Sequence, residues 1–214
     1  MPTLSESASK DLLRRFDFPL LEEREVSTPD QAVVAARELD KGNGVVAKLC
    51  GDRIAHKTER GLVRLGLRQP EAVFQAAESL LAAATADDGD VGVLIAPMLR
   101  GNRELIAGVA LDPQFGKVVM FGIGGIFAEA IGDVVFRLAP ISALDAQEMI
   151  EDIHAQTILG SFRGEPEIDR TKLVETLLAL SAVSQLPEVV SVDINPLIVV
   201  DGKPIAVDAL VEVR

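Results

Sequence analysis

The sequence predicts an α/β (α+β) protein of two small lobes, and three observations support this fold class. Segments with the period of a helix alternate along the chain with short runs of Val, Ile, Leu and Ala that are typical of strands. Hydrophobic residues make up 48% of the 214 residues, with no Trp or Tyr, and such an aliphatic core suits sheets that helices cover. Hairpin strands become frequent after the connector 97–102. We therefore predict lobes over residues 1–96 and 97–214.

The first lobe should hold three helices and three strands. Thr28-Pro29-Asp30 is typical of a helix start, because proline suits the first helical turn. Apolar residues alternate with charged residues and glycine over 63–68, which is the pattern of a half-buried strand. The predicted helices cover 5–16, 29–39 and 71–84, and the predicted strands cover 45–49, 63–67 and 91–96.

The second lobe should open with a hairpin. Asp112-Pro113 and Gly116 stand where a turn between strands 104–111 and 117–121 needs them. Asp201-Gly202 predicts a second hairpin turn near the end of the lobe. The remaining predicted helices cover 126–131, 143–158 and 169–185, and the remaining predicted strands cover 134–138, 189–194, 197–200 and 205–207.

The charge of the chain limits its partners. A formal net charge of −12 opposes general binding to nucleic acid or to an anionic membrane, because both require a basic surface. The chain has no apolar run of membrane-spanning length and no basic-then-apolar N-terminal signal. We therefore expect a cytoplasmic protein. Cys50 is the single cysteine, which excludes an intrachain disulfide and indicates a buried thiol.

One segment is basic within this acidic chain. The cluster consists of Lys48, Arg53, His56, Lys57, Arg60 and Arg64. It has two interpretations, a phosphate-binding pocket or a solvated charged turn. Gly51 to Thr58 has the spacing of a phosphate-binding P-loop, but His56 stands in place of the second glycine, and its β-carbon would spoil the backbone cradle. We reject a P-loop, although imidazole, ammonium and hydroxyl groups suit phosphate.

A glycine-rich segment, 121–125, follows the strand predicted at 117–121. The dinucleotide-binding pattern GxGxxG would require a glycine where Phe127 stands, so this motif is also absent. Asn195 follows a predicted strand, and Asp208 lies 13 positions later on the next hairpin arm. Their oxygens could converge on one Mg²⁺, which often takes only one or two protein ligands. Alternatively, Asn195 caps a turn and Asp208 is merely exposed.

These residues stand within a resemblance that covers nearly the whole chain, residues 5–214. Seven blocks resemble, in the same order, the ATP-grasp subunit of ADP-forming acyl-CoA synthetases, to which the β subunit of succinyl-CoA synthetase is a more distant relative. The blocks are 46–58, 103–108, 112–116, 121–129, 136–140, 162–164 and 193–197. The resemblance implies an ATP-grasp fold in which a nucleotide cleft lies between the two lobes.

The resemblance also implies roles for the nucleotide-binding residues. Lys48 contacts the ATP phosphates, and Lys57 and Thr58 lie on the loop that follows its strand. Residues 97–99 form a strap against adenine, and Glu104 lines the site at the ribose. The strap residues are Pro97, Met98 and Leu99. Gly124 and Gly125 are the small residues that would let a phosphohistidine loop come close to the nucleotide.

The resemblance also implies which residues take part in phosphoryl transfer. Asn195 and Asp208 hold Mg²⁺, and Asp193 lies where a phosphorylated histidine docks. His56 carries phosphate between a histidine of the partner subunit and the nucleotide, since neutral imidazole is nucleophilic near pH 7. A histidine that contacts phosphate without being phosphorylated is the alternative. His154, the other histidine, is interpreted as structural or solvated.

The implied protein is the ATP/ADP-binding β subunit of an NDP-forming carboxylate–CoA ligase, which catalyses acyl-CoA + ADP + phosphate ⇌ carboxylate + CoA + ATP. We expect CoA to bind to a separate α subunit in a hetero-oligomer. Two alternatives remain, a stand-alone ATP-grasp ligase that forms an acyl phosphate and a non-catalytic nucleotide-sensing subunit. The chain departs from the family at Leu62, where a glycine is usual, and at Gly42-Asn43-Gly44, which replaces a Tyr-Pro pair.

Overall fold

The computed structural model describes residues 2–51, 53–54, 57, 59–125 and 132–214. The chain forms two compact units. The N-terminal unit consists of Thr3–Ala8 and Leu21–Arg100, and the C-terminal unit consists of Met1–Pro2, Ser9–Leu20 and Gly101–Arg214. Each unit combines helices with an antiparallel sheet, which confirms the predicted α/β (α+β) class.

The N-terminal unit is built on a four-stranded antiparallel sheet. Its strands are β1 (Arg24–Val26), β2 (Val45–Gly51), β3 (Val63–Leu67) and β4 (Val91–Pro97). Their order is β1-β4-β2-β3, so β2 and β4 are central. Its helices are the first turn of α1 (Glu6–Arg14), α2 (Pro29–Leu39) and α3 (Pro70–Ala82).

Local sequence explains where the helices of this unit begin. The Thr28 hydroxyl accepts a hydrogen bond from the backbone N–H of Gln31, and Pro29 occupies the first turn of α2. Pro70 stands at the same place in α3, where the missing N–H of a proline removes no hydrogen bond. Both helices bury alanine-rich faces against the sheet, which form one core with the strands.

The C-terminal unit is built on a six-stranded antiparallel sheet. Its strands are β5 (Glu104–Asp112), β6 (Gly116–Ile123), β7 (Val134–Leu138), β8 (Val189–Val200), β9 (Lys203–Ala206) and β10 (Leu210–Val213). Their order is β10-β8-β5-β6-β7, and β9 also pairs with β8. The described helices that follow β7 are α4 (Ala143–Glu151), α5 (Gln156–Leu159) and α6 (Arg170–Ser184).

Two predicted boundaries in this unit are wrong. Strands 189–194 and 197–200 are one strand, β8, because pairing with β5 resumes beyond Pro196 after a register shift. Helix 143–158 is two helices, because the Asp133 carboxylate accepts hydrogen bonds from the backbone N–H groups of His154 and Ala155. Those N–H groups would otherwise continue α4. The helix predicted near 126–131 lies outside the described residues.

The short strands β1 and β10 were not predicted. Each has only three or four residues and lies at the edge of its sheet. The sequence also placed residues 9–20 in the first lobe, whereas in the structure they group with the C-terminal unit. Hydrogen bonds explain this grouping, since Ser9 accepts from the Val211 N–H and Lys10 donates to the Val207 carbonyl. In the described part of the chain, no helix has the length and apolar character needed to cross a bilayer.

The ion pair between Arg60 and Asp88 should make the stability of the chain sensitive to acid. Both guanidinium Nη atoms contact the Asp88 carboxylate, at 2.8 and 2.9 Å, and the backbone N–H of Thr85 donates to it at 2.8 Å. These hydrogen bonds, from Arg60 first, hold the pKa of Asp88 well below its usual range. A lowered folded-state pKa stabilises the protein above the unfolded pKa of about 3.9, and the stabilisation is lost as pH falls through the folded value.

We therefore predict that Asp88→Asn lowers the urea midpoint at pH 7. The difference from the unsubstituted protein should shrink as the pH falls below about 4. Urea unfolding curves at several pH values measure it, with exposed Asp87→Asn as the control. A midpoint difference that stays constant down to pH 2 or so would refute this linkage.

The thiol of Cys50 should be unreactive in the folded protein. Cys50 lies in β2 and is 1% exposed. Burial raises the pKa of the thiol to about 11, and only the thiolate attacks disulfide reagents. At pH 8 we expect negligible reaction with an aromatic disulfide reagent over minutes and stoichiometric reaction in concentrated urea. Rapid modification of the folded chain, at a rate near that of glutathione, would contradict the burial of this thiol.

Candidate functional site

Two of the predicted phosphate-binding lysines converge on one buried carboxylate. Lys48 lies in β2, and its Nζ is 2.7 Å from Oε1 of Glu6, in the first turn of α1. The Nζ of Lys57 contacts the other carboxylate oxygen, Oε2. The Glu6 side chain is 1% exposed and each lysine side chain is 12% exposed. The structure therefore brings these two cations together, as a phosphate site requires.

Two arginines of the basic cluster have structural partners instead. Arg60 forms the ion pair with Asp88 described above, and Arg64 donates to the backbone carbonyls of Gly61 and Val63. The lysines are therefore better candidates for phosphate than these two arginines. His56 and Thr58, which the sequence assigned to the same loop, lie outside the described residues.

Leu62 stands where the resemblance led us to expect a glycine. Its side chain is 2% exposed and belongs to the core of the N-terminal unit. Its N–H donates to the carbonyl of Lys57, and its own carbonyl accepts from Leu49 in β2. The backbone of Leu62 thus links Lys57 to the central strand β2, while its side chain packs in the core.

The strap residues follow directly from β4. Pro97 pairs with Val45 at the end of the strand, and the N–H of Met98 donates to the carbonyl of Gly44 at 2.9 Å. Gly44 has a φ of +81°, and a β-carbon there would lie 2.7 Å from the carbonyl oxygen of Leu67. Glycine is therefore required where the chain supports the strap.

The turn 42–44 is itself held by a side chain. The Asp40 carboxylate accepts hydrogen bonds from the N–H groups of Gly42 and Gly44, at 2.7 and 2.8 Å. This turn stands where the resemblance led us to expect a Tyr-Pro pair. Met98 and Leu99 are both half-buried, so each still exposes part of an apolar side chain.

Glu104 and the glycine-rich segment are neighbours in the C-terminal unit. The N–H of Gly124 donates to the Glu104 carbonyl at 2.8 Å, and a β-carbon on Gly124 would lie 3.0–3.1 Å from the backbone of Glu104 and Leu105. Gly125 has a φ of +85° and lies near the Glu104 carboxylate. Glycine at both positions lets the segment pack against the start of β5, beside the predicted ribose ligand.

Three residues with oxygen-bearing side chains lie beside the point where the pairing along one edge of β8 is interrupted. β10 pairs with β8 up to Asp193, and β9 pairs with it from Leu197 onward. The connection 207–209 carries Asp208 and lies opposite residues 194–196 of β8. Asp193 and Asn195 are exposed, whereas Ile194 between them is buried, so both point to the same face of the strand.

The electrostatics of this cluster favour a cation. The pKa of Asp193 is raised, first by desolvation and then by the negative charge of Asp208. A bound cation would offset the negative charge of Asp208 that disfavours the ionised form of Asp193. Among the described residues no group of three His, Cys, Asp or Glu side chains forms a metal cluster, but Mg²⁺ needs only one or two protein oxygens. The chemistry of Asn195 and Asp208, the two predicted ligands, is therefore compatible with this ion.

Helix α1 supports the strand connection that carries Asp208. The Lys10 side chain is fully buried, and its Nζ donates to the carbonyl of Val207 at 3.0 Å. The Ser9 hydroxyl, also buried, accepts from the N–H of Val211 at 3.1 Å. Asp208 in turn accepts from the N–H of Ala209. Buried side chains thus fix the backbone on both sides of the predicted metal ligand.

Sequence reasoning missed Glu6 and Lys10. Both are charged residues on an amphipathic helix, where a charged residue is usually exposed. Their partners lie 42 to 197 positions away along the chain, so local sequence carries no signal for the contacts. His154 has a 94% exposed ring whose Nδ1 lies 3.1 Å from Asp133, which agrees with a structural or solvated histidine.

Comparison with known proteins identifies the family. Residues 2–213 match the model of the ATP-grasp domain family. The chain is 37% identical over 210 residues to the β subunit of acetate–CoA ligase (ADP-forming) I of Pyrococcus furiosus, and the match covers 96% of this chain and 90% of that protein.

Solved structures agree with this assignment. The acetyl-CoA synthetase 1 of Ca. Korarchaeum cryptofilum, in complex with coenzyme A and Ca-AMPCP, has a TM-score of 0.90 at 31% identity, covering 100% of this chain and 94% of that chain. A second structure of that enzyme, with coenzyme A and Mg-AMPPCP and a phosphohistidine segment pointing towards the nucleotide site, has a TM-score of 0.84 at 32% identity, covering 100% and 93% of the two chains. The chain therefore belongs to the ATP-grasp family, in the group of the ADP-forming acyl-CoA synthetase β subunits.

Proposed function

We propose that the chain is the nucleotide-binding β subunit of an NDP-forming carboxylate–CoA ligase. The reaction is acyl-CoA + ADP + phosphate ⇌ carboxylate + CoA + ATP. The observation that carries the proposal is that the connection between β9 and β10, which carries Asp208, lies opposite residues 194–196 of β8, within a chain of this family. The Korarchaeum relative holds Mg-AMPPCP, which supports a Mg-nucleotide here.

The described residues supply binding and orientation. Lys48 and Lys57 attract the phosphates, and the strap 97–99 offers apolar surface to the base. Glu104 accepts hydrogen bonds from the ribose hydroxyls. Asn195 and Asp208 would hold Mg²⁺, which neutralises charge on the phosphate oxygens when it is bound. These assignments match the residue chemistry in each unit.

The proposed phosphoryl relay uses His56. A ring nitrogen of His56 attacks the phosphorus of a phosphohistidine on the partner, the N–P bond of that residue breaks, and its imidazole leaves. A β-phosphate oxygen of ADP then attacks the phosphorus on His56, which forms ATP and restores the neutral ring. Asp193 lies near the incoming phosphohistidine and accepts a hydrogen bond from its ring N–H.

The partner is a CoA-binding α subunit, which supplies the first phosphorylated histidine and the acyl-CoA site. The P. furiosus relative is itself named a β subunit, which supports a hetero-oligomer. The acyl selectivity then resides in the partner.

The relay predicts that ATP labels the chain on one histidine. With Mg²⁺ and ATP radiolabelled at the γ-phosphate, the purified chain should acquire an acid-labile, alkali-stable phosphoryl group, because the second step is reversible. His56→Asn should lose the label, and His154→Asn, which removes the other histidine, should keep it. Undiminished labelling of His56→Asn would refute the relay, and normal Mg-ATP binding without labelling in any chain would favour a nucleotide sensor.

The metal site predicts a Mg-dependent loss of affinity. Asn195→Ala combined with Asp208→Ala should weaken ATP binding in the presence of Mg²⁺ by at least about ten-fold, roughly 1.4 kcal/mol, and should change binding little in the presence of a chelator. Isothermal titration with and without Mg²⁺ measures both. Glu188→Ala removes an exposed carboxylate before β8 and is the matched control. Equal Mg-ATP affinity in the double variant would exclude these ligands.

A further inference from the structure

The Glu6 carboxylate is paired with both lysines that the proposed function assigns to phosphate, Lys48 and Lys57. One carboxylate oxygen is 2.7 Å from Nζ of Lys48, and the other contacts Nζ of Lys57. The carboxylate is 1% exposed, and such a buried acid is rare unless it is paired. The position of Glu6 in the first turn of α1 further favours its negative charge.

A phosphate group that approaches Lys48 must share the ammonium group with this carboxylate. The two anions would then lie on one cation and repel each other at short range, in a region where side chains are 1–12% exposed and water screens little. This repulsion weakens nucleotide binding. When the nucleotide leaves, however, the Glu6 carboxylate still balances the positive charge of the lysines.

From this geometry we propose that Glu6 is an internal counter-ion that competes with the nucleotide phosphates for Lys48 and Lys57 and so sets the affinity for ATP. The proposal rests on the proposed function, since it requires that Lys48 contacts phosphate. It assigns Glu6 a role in ATP release, because the carboxylate takes over the lysines as the phosphates depart.

Glu6→Gln separates this role from a merely structural one. The amide keeps the side-chain length and can still accept a hydrogen bond from a lysine, but it carries no charge. Without ligand, the variant should unfold at lower urea concentration, because nearly buried ammonium groups lose their anion. Its affinity for ATP should rise by at least about ten-fold, and ATP should dissociate correspondingly more slowly.

Titration calorimetry with ATP, tripolyphosphate and adenosine measures the effect. Tripolyphosphate, like ATP, should bind Glu6→Gln more tightly than it binds the unsubstituted protein. Adenosine, which lacks phosphate, should bind both proteins equally. Asp88→Asn is the matched control, since it removes another buried paired acid of the same unit and should lower stability without changing ATP affinity. If Glu6→Gln lowers stability and also weakens or leaves unchanged the binding of ATP, the counter-ion proposal is wrong.

Lys48→Met distinguishes this failure from failure of the proposed function. If Lys48→Met leaves ATP binding intact, Lys48 does not contact phosphate, and the site itself is misassigned. If Lys48→Met abolishes binding and Glu6→Gln weakens it, the phosphate site stands and Glu6 only positions the lysines.

Discussion

The geometry of the C-terminal unit depends on one proline in the middle of its longest strand. Pro196 has no N–H to donate, and a proline inside a sheet therefore interrupts the ladder. β8 continues through the interruption, but it pairs with two separate short strands on one edge, β9 and β10. The connection between them places Asp208 opposite residues 194–196 of β8. The same interruption that weakens the sheet locally thus makes room for the predicted metal ligands.

Buried charge supports the candidate site in each unit. In the N-terminal unit the Glu6 carboxylate holds Lys48 and Lys57. In the C-terminal unit the fully buried Lys10 holds the backbone beside Asp208. An ion removed from water requires good hydrogen-bond partners, and these contacts meet that condition. Charged groups on α1 therefore orient the backbone and the side chains that we propose to bind the Mg-nucleotide, rather than contribute only solubility.

Sequence reasoning succeeded where the determining signal was local. Pro29 located the start of α2, Gly116 located the turn of the β5–β6 hairpin, and the ordered motif blocks identified the family. It failed where the determining partner is remote. Asp133 ends α4 from 21 positions upstream of His154, and Glu6 meets Lys48 across 42 positions. The basic cluster shows the same limit, because composition alone did not separate Arg60 and Arg64, which have structural partners, from the lysines that contact Glu6.

The assignment of residues 9–20 to the C-terminal unit has a consequence for biosynthesis. The four strands of the N-terminal unit come from residues 24–97, so its sheet can form while the second half of the chain is still being made. Leu13 and Lys10 are fully buried, yet the carbonyl that Lys10 binds is 197 positions away. Domains generally fold as units during synthesis, and contacts of high sequence separation form slowly. Residues 9–20 are made early, but they can pack in the C-terminal unit only after the last strands of the chain have been synthesised.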